Sequence, residues 1–229
     1  MNGIELERFK EKKPCRAFIF TGGKAFCAEK MTDIPKDGDL IIAADSGCET
    51  LKEFSRKNQR IVPDIILGDM DSFPKEEIFE FEGARFLSFP PEKDDTDTAL
   101  AIDTAISFGC SEIIVAGGLG GRLDHTLANV FILEYIREKG AKGIITDGKN
   151  RAYLAEKENV FLQMPRKYLS LIPLDKTIGA VTMDKNFKYP LNVKKLERCR
   201  FVTVSNEITS VPAKLTVDSG SALIIESGD

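Results

Sequence analysis

Six aspartates and one arginine follow short, mostly apolar runs: Asp45 after IIAA, Asp69 and Asp71 after DIILG, Asp94 and Asp97 after FLSFPPEK, and Arg122 with Asp124 after EIIVAGG. Carboxylates drawn into one cleft repel one another strongly at low effective dielectric unless a cation sits among them. An oxygen-only donor set suits Mg²⁺, which usually takes one or two carboxylates together with water and substrate phosphates. The chemistry predicted is that of a metal–nucleotide complex rather than a structural cage. Taken singly, Asp45, Asp94, Asp97 and Asp124 each precede a helical segment and suit an N-cap or first turn. The pair in G-D-M-D-S, Asp69 and Asp71, resists that reading: a cap needs one acid, whereas two acids two residues apart on an extended loop point the same way.

The run GGLGGRLDHT holds four glycines within five positions, at 117, 118, 120 and 121. Such a backbone approaches a phosphate or nucleobase closely and sets Arg122 beside it. No Lys-Ser or Lys-Thr follows, so it is not a Walker loop, and its spacing does not match the dinucleotide fingerprint. Gly22 and Gly23 read as a simple turn, and His125 as a structural residue of a first helical turn.

The elements that position these residues alternate. Ala17–Thr21, Leu40–Ala44, Ile65–Leu67, Arg85–Phe89 and Glu112–Ala116 read as strands. Gly47–Lys57, Lys75–Phe81, Thr96–Phe108 and Leu123–Lys139 read as helices, the last with Leu127, Phe131 and Tyr135 on one face. This order predicts βα units on a mostly parallel sheet, whose strand ends deliver the acids to one rim.

From Gly143 the texture changes to closely spaced strands, among them Gly143–Thr146, Arg151–Leu154, Val160–Leu162, Tyr168–Pro173, Ala180–Met183, Arg200–Val204 and Ala222–Glu226. They predict an all-β sandwich, with turns at Asp147-Gly148, Asp184-Lys185-Asn186 and Asp218-Ser219-Gly220. The domains expected are an α/β domain over 14–142 and a β-sandwich over 143–229.

Composition narrows the classes. No apolar run approaches the ~20 residues of a membrane helix, and the N-terminal segment has no signal-like apolar stretch, so a cytoplasmic protein is expected. A net charge of −4, from 36 acidic and 32 basic residues without a basic block, leaves no footprint for nucleic acid. The five cysteines, never in a C-x-x-C pair, argue against a disulfide framework or zinc site and read as buried reduced thiols. The single histidine excludes a His-rich metal centre.

In order, AADSG (43–47), PDIILGDMDS (63–72), KDDTDTA (93–99), GGLGGRLDHTLAN (117–129), SLIPL (170–174) and SNE (205–207) resemble the thiamine pyrophosphokinase family of the bacterial type. The likeness spans nearly the whole chain. It implies a Rossmann-like α/β domain with helices on both faces, then a β-sandwich, in a homodimer that binds thiamine at its interface. It implies that Asp69, Asp71 and Asp97 hold Mg²⁺ with the triphosphate of ATP, and that Asp45, Asp94, Thr96, Gly120, Arg122 and Asp124 serve the nucleotide. Asp124, Ser205 and Asn206 would contact thiamine, and Asp71, Asp97 and Arg122 would be catalytic. The chain has no tryptophan, so any aromatic partner of the substrate is a Phe or Tyr. The expected reaction is attack of the thiamine hydroxyl on the β-phosphorus of ATP. Its rivals are a pyrophosphokinase for another small alcohol such as a hydroxymethylpterin, a non-catalytic nucleotide sensor, and a structural protein whose acids only cap helices.

Overall fold

The computed structural model describes residues 16–23, 25–68, 81, 83–88, 96–120, 122–164 and 166–228. The chain divides into two compact units, residues 1–148 and 149–229.

In the first unit, β1 (Arg16–Phe20), β2 (Leu40–Ala44), β3 (Ile65–Gly68), β4 (Arg85–Ser88), β5 (Glu112–Ala116) and β6 (Lys142–Thr146) form a parallel sheet in the order β4-β3-β2-β1-β5-β6. Ala17, Phe18, Ile19 and Phe20 of β1 are all fully buried, although successive side chains point to opposite faces, so both faces of the sheet are covered. On one face Phe20 meets Phe54 of α1 (Gly47–Lys57), with ring centroids 5.6 Å apart. Helices α2 (Asp97–Ser107) and α3 (Leu123–Glu138) also belong to this unit and are tied by the Tyr135 hydroxyl, which donates to Asp103 Oδ1 at 2.5 Å.

The division falls after Gly148 rather than after residue 142, because β6 continues the parallel ladder of β5 from Glu112↔Lys142 to Ala116↔Thr146. The expected helix at Lys75–Phe81 lies, apart from Phe81, outside the described residues.

Helix α3 forms where the periodicity predicts, but it buries Leu133 and Ile136, whereas Leu123, Leu127 and Phe131 are 71%, 49% and 56% exposed. The apolar stripe that marks the helix is therefore not the face this chain packs. Cys48 and Cys110 are buried as expected, whereas Cys199 is exposed and Cys27 half-buried, which corrects the reading of all thiols as interior. Among the described residues no helix is long and apolar enough to cross a membrane.

In the second unit, β7 (Asn150–Leu154), β15 (Ala222–Ser227) and β9 (Tyr168–Pro173) pair antiparallel. A second antiparallel sheet has the order β12-β11-β14-β8, from Leu191–Val193, Val181–Met183, Ala213–Val217 and Glu158–Phe161. Two short strands, β10 (Thr177–Ile178) and β13 (Leu196–Glu197), pair with each other. Leu169, Leu171 and Ile224 of the first sheet and Val181, Met183, Leu215 and Val217 of the second belong to one buried core, the packing of a β-sandwich.

Arg200–Val204 is not a strand. Thr203 exchanges single bonds with Leu171: its carbonyl accepts from Leu171 N–H at 3.0 Å and its hydroxyl donates to the Leu171 carbonyl at 2.7 Å. A turn from Phe201 to Val204 then stops any ladder from forming.

Candidate active site

Strand order reverses beside β1. The chain moves outward through β2 and β3 to β4, then returns to lay β5 on the other side of β1. In open parallel sheets the crevice outside the carboxyl ends at such a reversal is where ligands lodge. A cleft of about 580 Å³ opens there, lined by Thr21 and Gly22 after β1, Asp45 and Ser46 after β2, Thr96–Thr98 at the start of α2, and Gly117, Gly118, Gly120 and Arg122 after β5; His125 and Asn129 of α3 complete it.

Glycine is required here by contact. A Cβ on Gly23 would lie 2.2 Å from the Gly117 carbonyl oxygen, and one on Gly47 would lie 2.0 Å from that of Phe20. Gly117 and Gly120 both have φ of +85°, a region that side chains with a Cβ rarely enter. Gly22–Gly23 is thus more than a simple turn: its narrowness lets the loops after β1 and β5 pass one another. Asn129 Nδ2 donates to the Gly118 carbonyl at 2.9 Å and holds the second loop against α3.

Asp45 occupies the left-handed region, φ +48°, while its N–H donates to the Leu67 carbonyl at 2.7 Å. Such a backbone costs a non-glycine residue of order 1–3 kcal/mol and concentrates at functional sites. It turns the Asp45 carboxylate into the cleft instead of into a helix cap. The chain that leads to Asp69 passes beside it, because a Cβ on Gly68 would lie 3.4 Å from Asp45 Cα.

At the head of α2 the cap is Thr96, whose Oγ1 accepts from Ala99 N–H at 3.2 Å, and Asp97 follows in the first turn, lining the same cavity. Arg122 is the residue before α3. It pairs with Asp124, Nη2 to Oδ2 at 2.6 Å and Nε to Oδ1 at 3.1 Å. These bonds hold the exposed Asp124 carboxyl at about 2, below its ordinary range, and raise the Arg122 guanidinium further above its own.

Of the residues singled out in the sequence, Asp45, Thr96, Asp97, Gly120 and Arg122 meet in this one cleft, and Asp124 stands at its edge through Arg122. Asp69, Asp71 and Asp94 lie outside the described residues. Among the described residues no three His, Cys, Asp or Glu side chains group to hold a metal ion. The cleft nevertheless suits a hard cation, since Asp45 and Asp97 offer carboxylate oxygens beside the hydroxyls of Thr21, Ser46 and Thr98. Thr21, Ser46, Thr98 and Asn129 escaped the sequence reading although each adjoins or lies within a motif.

In the second unit Ser205 is exposed at φ +56°, and its N–H donates to Ser170 Oγ at 2.9 Å. Asn206, 2% exposed, has its amide committed to its own unit. Its Oδ1 accepts from the N–H groups of Tyr189 at 3.1 Å and Glu207 at 2.9 Å, and its Nδ2 donates to the Tyr189 carbonyl at 2.8 Å. Its side chain thus clamps the main chain of Tyr189, a residue 59% exposed. The SNE motif contributes an exposed Ser205 and, through Asn206, holds the main chain of Tyr189.

The family model described as "Thiamin pyrophosphokinase, catalytic domain" matches residues 32–145, and "Thiamin pyrophosphokinase, vitamin B1 binding domain" matches residues 156–222. Thiamine pyrophosphokinase of Bacillus subtilis is 30% identical over 224 residues, covering 92% of this chain and 98% of that protein. Thiamin pyrophosphokinase 1 of Caenorhabditis elegans is 27% identical over 172 residues, covering 71% and 68%. The crystal structure of the Bacillus subtilis enzyme superposes with a TM-score of 0.81 at 26% identity, over 93% of this chain and 99% of that one. A thiamin pyrophosphokinase family protein from Enterococcus faecalis gives 0.77 at 26% identity, over 93% and 99%. With a parallel sheet whose switch point brings Asp45, Asp97 and Arg122 to one cleft, and a sandwich carrying the SNE segment, the chain belongs to the thiamine pyrophosphokinase family.

Proposed function

We propose that this chain transfers the pyrophosphoryl group of ATP to the hydroxyl of thiamine, giving thiamine diphosphate and AMP. The observation that carries the reading is the cleft at the strand-order reversal, where Asp45, Asp97 and Arg122 line one cavity floored by glycine backbone. Close-packed glycine loops let phosphate oxygens reach main-chain N–H groups, and the first turns of α2 and α3 add theirs. Asp69, Asp71 and Asp97 would hold Mg²⁺, with Asp45 and Asp94 close by. The bound ion supplies charge neutralisation on the triphosphate.

The thiamine oxygen forms its bond to the β-phosphorus as the bond from that phosphorus to the α–β bridging oxygen breaks and AMP departs. Such transfers have loose transition states, so orientation and charge stabilisation account for most of the rate. Arg122 stands where it can follow the charge that grows on the phosphates; Asp124 orients it. A carboxylate, Asp71 or Asp97, accepts the hydroxyl proton. Ser205 donates or accepts a bond at the thiamine pyrimidine, and Tyr189, held by Asn206, offers a ring face for stacking.

The working form is a homodimer in the cytoplasm. The exposed stripe Leu123, Leu127 and Phe131, which a lone chain leaves in water beside the cleft, supports this assembly. The test is turnover with ATP, Mg²⁺ and a panel of alcohols. Thiamine, and not a hydroxymethylpterin, should yield AMP, and Asp97→Asn should remain folded while AMP release falls at least a hundredfold, roughly the loss of one transition-state contact. Equal turnover of the pterin, or full activity of D97N, would defeat the reading.

A further inference from the structure

Thr50 lies on α1 and is 4% exposed. A threonine inside a helix ordinarily bonds back to a carbonyl of its own preceding turn. This one instead donates Oγ1 to the Thr21 carbonyl at 2.8 Å, 29 positions earlier in the chain. Its methyl faces the other loop: Cγ2 lies 3.2 Å from the point that a Cβ on Gly117 would take, and the Thr21 oxygen lies 2.3 Å from the same point. Thr21 is bound onward to β5, since its N–H and Oγ1 donate to the Ala116 carbonyl at 2.8 and 3.3 Å. One buried side chain thus touches both loops that line the cleft and sets the carbonyl against which Gly117 must fit.

We infer that Thr50 is a positioning residue for the nucleotide: without touching ligand, its hydroxyl fixes Thr21 and its methyl backs Gly117, so that both loops keep the spacing a triphosphate requires. The inference rests on the cleft being the ATP site proposed above. Thr50→Val keeps the shape and removes the hydroxyl, leaving the Thr21 carbonyl without its donor. Thr50→Ser keeps the hydroxyl.

The experiment uses the full chain and compares wild type, T50V, T50S and T50A by calorimetric titration with Mg·ATP, by KM for ATP and for thiamine, and by Tm. For T50V the Kd and KM for ATP should rise about five- to tenfold, within the range by which residues that do not touch a ligand modulate its binding, with KM for thiamine within about twofold of wild type. T50S should restore ATP affinity to within about twofold. If T50V does not fold, T50A decides the matter by the same criterion. A T50V or T50A protein with lowered Tm but wild-type affinity for Mg·ATP would make Thr50 merely structural and overturn the inference. Wild-type chain that bound no Mg·ATP would overturn the nucleotide site and the inference together, a result distinct from the first.

Discussion

Gly23→Ala probes the narrowest point of the proposed site. The new methyl carbon would stand 2.2 Å from the Gly117 carbonyl oxygen, 2.9 Å from its carbon and 3.0 Å from its Cα, whereas real Cβ atoms essentially never come within 3.0 Å of another heavy atom. All three atoms are backbone, so no rotamer relieves the clash, and the loops after β1 and β5 must part by close to 1 Å. Overpacking of that kind costs about 1–3 kcal/mol, and for a chain of this size each kcal/mol lowers Tm by roughly 2–4 °C. Misplacing catalytic groups by about 1 Å can cost a hundredfold in rate. The assay is Tm by calorimetry together with kcat and KM for ATP, read as AMP released. Expected are a Tm lower by roughly 2–12 °C and kcat/KM for ATP lower by about 10- to 100-fold, with KM for thiamine little changed. Gly22→Ala supplies the contrast, because its methyl meets Ser46 Oγ at 1.9 Å, a side chain that Ser46→Gly removes. The double variant G22A/S46G should recover most of the loss, whereas no side-chain change should rescue G23A. Unaltered kinetics in a destabilised G23A would refute the assignment of this cleft to ATP.

Asn206→Ala removes three bonds to main-chain groups, two of them on Tyr189, and should cost roughly 2–4 kcal/mol by chemical denaturation, whereas Tyr189→Leu, at an exposed position, should leave stability alone and raise KM for thiamine several-fold. Phe131→Glu, on the exposed stripe of α3, should shift the proposed dimer to monomers in analytical ultracentrifugation; a variant sedimenting like the wild type would remove that face from the proposed interface. Asp124 should titrate by NMR near 2, and Arg122→Gln should return it toward the ordinary carboxylate value near 3.8. A folded-state value below the unfolded one gives a contribution present above pH about 3.8 and lost as pH falls through about 2, so this pair should add nothing to any change in stability between pH 5 and 9.

Much of this architecture was legible because local and global signals agree. β2 and α1 form at the expected residues, since five buried residues, LIIAA, run directly into Asp-Ser-Gly and an amphipathic helix. The convergence of Asp45, Asp97 and Arg122 followed from topology alone, as strand ends of a parallel sheet share a rim. Four features were not legible. Periodicity identifies an apolar face but not the surface that covers it, so the stripe of Leu127 and Phe131 that marks α3 as a helix is exposed rather than packed. The alternation in Arg200–Val204 resembles a strand, yet Thr203 bonds singly to Leu171 and breaks the ladder, a tertiary event with no local sign. The resemblance marks Asn206 in the SNE segment as a thiamine contact; its burial and its bonds to Tyr189 and Glu207 emerge only when strands distant in sequence pack. Likewise Gly143–Thr146 reads as readily as the first strand of a sandwich as the last of a parallel sheet, and only its pairing with β5 decides.

The most direct test of the account follows the label of ATP carrying ³²P at the β position, incubated with Mg²⁺, thiamine and the full chain. The label should appear in thiamine diphosphate, with unlabelled AMP formed in equal amount. Labelled ADP with thiamine monophosphate, or labelled ATP left intact beside unreacted thiamine, would contradict transfer of a pyrophosphoryl group by this chain.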